Sequence, residues 1–173
     1  MPTTKYVVAR ADEITKKYNT RDPFKLVNDL GISLFYCDFL KQKGAYKVIL
    51  RNRFIFLNQN LDEVSKKIVL LHEIGHDILH RSEAVKVGGF REFNIFDMRD
   101  NRTEYEANVF AAQVELDDDE FLEYCNMGYD IQQIAMAMNS DINLVALKTD
   151  ILISQGYRLQ KQEHKSNFLK YDK

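Results

Sequence analysis

Between Ile68 and Leu79 the chain reads IVLLHEIGHDIL, a stretch that is apolar almost all the way round if it is wound as a helix. Such a helix belongs in a core rather than on a surface. Yet His72, Glu73 and His76 are set into it, and ionisable groups in a core are costly unless they are paired or ligating. The fold must therefore bury this helix and give that polar set something to bind. Three of the chain's four histidines, His72, His76 and His80, crowd into this region.

His72, Glu73 and His76 form the pattern H-E-x-x-H. Residues four apart on a helix project from one face on successive turns, so two imidazoles there can hold one Zn²⁺ from adjacent corners of a tetrahedron. Glu73 lies about 100° round the helix from His72. That places its carboxylate beside the metal, where it can take a proton from a water that zinc has acidified to a pKa near 7. Gly75, inside the helix, costs about 1 kcal/mol against Ala, which signals the close approach of another backbone. His80 stands about 12 Å along the axis from His72, too far to share a metal with it on a continuous helix. The longer H-E-x-x-H-x-x-G-x-x-H pattern is absent, because its last two marked positions are Leu79 and Ser82. His80 is read as covering the helix end, where an imidazole is favoured.

A catalytic zinc takes about three protein ligands and one open position. The third is expected from a second helix, Glu104-Tyr105-Glu106-Ala107-Asn108-Val109-Phe110-Ala111-Ala112. Glu104, Ala107, Asn108 and Ala111 share one small-sided face. That face lets the helix pack closely while Glu104 reaches a metal. Asn108 is placed to hold the other ring nitrogen of a ligating histidine. Glu106 points toward the opposite, solvated side and is the alternative third ligand.

The rest of the chain reads as α+β. Helices are expected over 3–19, from an Asp22 cap with Pro23 at the first position to a stop at Gly31, over 61–80 behind an Asn60 cap, over 102–115, and from Asp117 to Gly128. A helix pair follows at 130–138 and 141–155. Strands are expected at 32–37, 44–50 and 53–58, the last two joined tightly at Arg51-Asn52, giving a small, mostly antiparallel sheet. Residues 82–101, with Gly88-Gly89, read as a loop, and the tail from 157 as frayed. The length of 173 residues suits one main core, divided into a domain over 1–127 and a C-terminal helical extension over 128–173.

Composition narrows the function classes. Lys and Arg total 24 against 26 Asp and Glu, so bulk charge gives no case for nucleic acid or an anionic membrane. Residues 128–148 faintly resemble a helix-turn-helix, but the second helix offers Asn143 and only one base, Lys148, to meet phosphates and base edges. No direct nucleic-acid binding is expected. Cys37 and Cys125 cannot build a disulfide framework or a Cys-rich zinc site. No window approaches the roughly 20 apolar residues of a membrane span. The expectation is a soluble cytoplasmic protein.

Taken together, HEIGH after the strand FIFLN (ending at Asn58) and an Ile-Val-Leu-Leu run, then EYEANVFAA further on, resemble the ImmA/IrrE family of metallopeptidases. The resemblance covers about residues 20–125. It implies a zincin-like core, with His72, His76 and Glu104 as zinc ligands and Glu73 as general base. It also implies site-specific cleavage of a helix-turn-helix repressor encoded nearby, relieving repression in a prophage or other mobile element. The chain departs from the family where a Leu-Leu-Met-Pro-like run usually follows F-A-A: here it reads QVELDDDE. The acids of 115–123 are either a helix N-terminus favoured by its dipole or a docking patch for a basic partner. The rival function is a non-catalytic regulator of the same fold that binds a repressor or DNA without cutting. In the catalytic reading, an extended segment of the substrate lies along a strand edge near 53–58.

Overall fold

Cap chemistry sets most helix boundaries. In the computed structural model, which describes residues 4–96 and 101–159, α1 spans Thr4–Tyr18 and α2 spans Pro23–Asp29. Asp22 accepts from the Phe24 amide at 2.9 Å, with Pro23 opening the helix. The long buried helix, α3, spans Glu63–Leu79. Its cap is Asp62, which accepts from the Ser65 amide, and not Asn60. Asn60 is spent in a turn, its amide donating to Asn58 Oδ1, while the Asn58 amide group anchors the preceding loop at Phe39 O and Gln42 O.

Three strands precede α3: β1 (Ser33–Cys37), β2 (Gly44–Ile49) and β3 (Asn52–Asn58). The turn between β2 and β3 sits one residue earlier than the sequence suggested. Leu50 and Arg51 carry it, at φ 49° and 69°, the left-handed pair that matches the twist of a two-residue hairpin. The segment 82–101, expected as loop, instead holds most of α4 (Arg81–Val87) and all of β4 (Phe90–Glu92), with 97–100 outside the described residues. Gly88, at φ 82°, is the left-handed cap of α4. Gly89 then lies so close to β2 that a Cβ would stand 2.7 Å from Tyr46 O. The two glycines are thus a helix stop and a strand entry.

Among the described residues the sheet has four strands in the order β1-β3-β2-β4. β1 runs parallel to β3, while β2 is antiparallel to both β3 and β4. The sheet is therefore mixed. β3 is internal, paired on both sides, so the 53–58 edge expected to receive a peptide does not exist.

After β4 come α5 (Arg102–Glu115), α6 (Asp118–Asn126), α7 (Ile131–Ala137) and α8 (Ile142–Ser154). The inner face of the sheet, Tyr46, Ile55 and Leu57, joins α3 in the core with α1, α2, α5 and α8. Helices α3 and α5 cross at Gly75, where a Cβ would lie 3.2 Å from the Ala107 backbone. The mid-helix glycine is the condition for that crossing. Lys148 of α8 is fully buried, bound to Gln113 Oε1 at 2.7 Å and to Asp118. The one base of the would-be reading helix therefore serves the interior. Two of the six acids of 115–123 are structural too. Asp117 caps α6 and pairs with Arg21 at 2.7 Å, and Asp118 pairs with Lys148.

Candidate metal centre

One face of α3 and one of α5 converge on the same point. His72, His76 and Glu104 bring ligand atoms within 4.8 Å of one another. His72 Nε2 lies 3.0 Å from His76 Nε2 and 3.0 Å from Glu104 Oε2, and His76 Nε2 lies 3.5 Å from Glu104 Oε1. Ligands bound tetrahedrally at about 2.0–2.1 Å stand about 3.3 Å apart, so the spacing suits one small cation.

Both imidazoles are held from behind. His72 Nδ1 donates to Asn108 Oδ1 at 2.8 Å. The Asn108 amide nitrogen donates to Ile95 O, which fixes which end of the amide faces the ring. His76 Nδ1 faces His80 Nδ1 at 3.2 Å, and His80 Nε2 faces Glu106 Oε2 at 2.9 Å. A carboxylate only accepts, so His80 carries its proton on Nε2 and accepts from His76 at Nδ1. With both Nδ1 atoms engaged from behind, Nε2 is the atom each ring turns to the shared point, where a metal would take the place of its proton.

Glu106 is thus not on the solvated side. It is buried, bound to His80 and to Arg102 Nε at 2.6 Å, and the structure does not bring it into the ligand group. His80 does end α3 through its backbone, but its side chain turns back to His76. The signal missed in the sequence was pairwise: His76 and His80 are four apart, and Arg102 and Glu106 are four apart.

Glu73 is fully buried, and neither of its oxygens has a hydrogen-bond partner. It fits only because residue 44 is glycine: a Cβ there would stand 2.6 Å from Glu73 Oε1. Burial pushes the Glu73 carboxyl up to about 8, against the pull of His72 and with the neighbouring Glu92 and Glu104 adding to the rise. Glu92, from β4, is buried with Oε2 3.4 Å from His72 Nε2. Burial resists charge on His72, but its bonds to Glu104 and Glu92 prevail and raise it to about 10. Burial holds His76 down, to about 4. Burial would raise Glu104 too, yet its bonds to the two histidines hold it far below the usual carboxylate range. Three carboxylates around two imidazoles ask for positive charge, and an unpartnered buried carboxylate asks for a donor. A divalent cation with its water fits both demands.

The same residues have relatives. A family model described as the IrrE N-terminal-like domain of the M78 peptidases matches residues 27–148, well over half of the chain. The chain belongs to that family. Among similar proteins is "Uncharacterized immunity region protein 2" of Bacillus phage phi105, 29% identical over 143 residues, covering 82% of this chain and 88% of that protein. Another is "Metallopeptidase ImmA" of Bacillus subtilis (strain 168), 24% identical over 158 residues, covering 88% of this chain and 87% of the relative. Membership of a peptidase family and the His72, His76, Glu104 cluster together imply a metal. Among the described residues, no helix is long and apolar enough to cross a membrane.

Proposed function

We propose that this chain is a zincin-like, zinc-dependent endopeptidase of the cytoplasm. Its substrate in this reading is a helix-turn-helix repressor encoded nearby, cut at one site so that repression is relieved. The reading rests above all on Glu73, a buried carboxylate without a partner beside a two-histidine, one-carboxylate cluster. The printed names of the relatives, a phage immunity region protein and a metallopeptidase, support the setting. In this reading residues 1–127 carry the catalysis and the division at 128 begins a C-terminal extension, helical at α7 and α8, of which 160–173 lie outside the described residues.

His72, His76 and Glu104 would hold the metal. When bound, zinc would supply Lewis-acid activation of a water and of the scissile carbonyl. Glu73 takes a proton from the attacking water on a carboxylate oxygen, then gives it to the departing amine. Its full burial, in the space left by Gly44, keeps that carboxylate out of bulk water. Asn108 fixes the His72 ring, and His80, itself held by Glu106, fixes the His76 ring.

Incubation of the purified protein with the repressor encoded beside it tests this reading. One cut is expected, abolished by chelation, restored by Zn²⁺ and lost in Glu73→Gln. If Glu73→Gln relieves repression as fully as the native chain, hydrolysis is not the mechanism and the non-catalytic regulator stands in its place.

A further inference from the structure

Glu92 is a buried carboxylate to which the chemistry above gives no task. It ends β4 and is 6% exposed. Gly44 stands opposite it on β2, and opposite residues of an antiparallel pair project from the same face. That face looks onto α3, since the Gly44 position abuts Glu73 and Val69. Glu92 thus comes to the metal centre from the sheet, while His72, His76 and Glu104 come to it from two helices.

Resting on the metal centre of the peptidase reading, we propose that Glu92 is a fourth protein ligand of that metal. In the resting chain it closes the position that a substrate carbonyl must take, and its side chain swings aside when substrate enters.

Three observations carry this. The first is spacing. Glu92 Oε2 lies 3.4 Å from His72 Nε2, close to the roughly 3.3 Å that ligands around one tetrahedral cation keep from each other. Glu92 stands outside the group whose atoms all lie within 4.8 Å of one another, so it completes the site by a turn of its own side chain. Its backbone stays in place for that turn, because the Lys43 amide donates to the Glu92 carbonyl at 2.7 Å.

The second is pairing. Among the described residues, His72 is the one ion-pair partner of the Glu92 side chain. The same His72 Nε2 meets Glu104 Oε2 at 3.0 Å. A ring nitrogen that gives its lone pair to a metal has no hydrogen left to donate, so metal binding takes one donor from both carboxylates. Glu104 is compensated by the metal itself. Glu92 is left as a buried charge without a partner, which is costly, unless it takes the metal too.

The third is charge. Glu73, Glu92 and Glu104 surround two imidazoles, and among the described residues none of the three pairs with a lysine or arginine. A cation shared by Glu92 and Glu104 answers more of that charge than one held by Glu104 alone, and leaves the Glu73 oxygens free for proton transfer. Four protein ligands close a zinc site where three leave it open, so Glu92 makes the resting centre a closed one.

The test uses the full chain loaded with zinc. In a crystal structure of that protein, a Glu92 oxygen is expected at about 2.0–2.2 Å from the metal; any distance beyond bonding overturns the proposal. In solution, competition with a chromophoric chelator should show zinc held about 100-fold more weakly by Glu92→Gln, at the upper end of what loss of an outer partner costs. Glu92→Asp, which keeps a carboxylate on a shorter stem, should fall between the two, and replaces the glutamine variant if that chain does not fold. Zinc affinity within twofold of the native value, with circular dichroism unchanged, also overturns it. The arms separate this proposal from the peptidase reading. Glu92 on the zinc, with no cutting of the repressor by the native chain or by Glu92→Gln, keeps the ligand and removes the peptidase. Cutting by the native chain with Glu92 away from the zinc keeps the peptidase and removes the ligand.

Discussion

Glu73 and Asp77 sit one turn apart on α3, both at most 1% exposed, and they are treated in opposite ways. Asp77 is saturated: Tyr46 Oη donates at 2.7 Å, Arg53 at 2.9 Å, and Arg81 at 3.2 and 2.9 Å through two nitrogens. Glu73 receives nothing. A carboxylate surrounded in that way locks α3 to β2, β3 and α4, which is a structural task. A carboxylate buried bare at the same depth costs stability, and in the proposed reading the slot that only glycine can provide holds it for proton transfer. Burial alone does not set the two apart; the absence of partners at that burial does.

The contrast is broken most severely at its two ends. Asp77→Ala strands two arginines and a tyrosine and should cost about 3–5 kcal/mol, read by urea denaturation of the zinc-loaded protein. Glu73→Gln should leave denaturation unchanged or shifted to higher urea, while peptide cleavage falls by about 10²–10⁴-fold. Equal losses of stability in the two variants would erase the distinction.

His80 sharpens it by one step, since it links Glu106 to His76, a ligand in the proposed reading. His80→Ala should weaken zinc binding by about 10–100-fold, measured by competition with a chromophoric chelator. An affinity within twofold of the native value would remove His80 from the positioning of His76.

Glu115 gives the smallest effect and serves as the control. It too has an unpartnered buried oxygen, and burial pushes it from 4.5 up to about 7, but it is not among the residues that converge on the metal centre. Because its folded pKa lies above its unfolded one, the fold favours the neutral acid. Its contribution is most favourable below pH 4.5 and is lost as pH rises through 7. Glu115→Gln should therefore match the native chain in stability at pH 4 and exceed it by about 1–2 kcal/mol at pH 8, after discounting for partial exposure. No change in the difference between those pH values would contradict this account of Glu115.

What the sequence made legible follows the range of the interactions involved. The α3 pattern, the small face of α5 with Glu104 and Asn108, and the close approach at Gly75 all depend on periodicity within one helix, and the structure brings those residues together as expected. Glu106 was misplaced because helical angle says where a side chain points, not what covers it; α4 and the preceding turn bring His80 there. Gly44 and Glu92 were missed because their meaning arises only when β2 and β4 are laid against α3. Asn60 looked like a cap from spacing alone, and lost to Asp62 because Asn58 draws it into a turn. The peptide-binding edge was assigned to β3 for want of the strand order, which local patterns do not carry.

The central claim is that His72, His76 and Glu104 hold a metal that Glu73 serves but does not bind. Elemental analysis of protein purified without chelators tests it most directly, on the native chain beside Glu73→Gln, His76→Ala and Glu104→Ala. The account predicts one equivalent of zinc in the native chain and in Glu73→Gln, and loss of most of it in the other two. A native chain without metal, or a Glu73→Gln protein that loses it as fully as His76→Ala, would contradict the account.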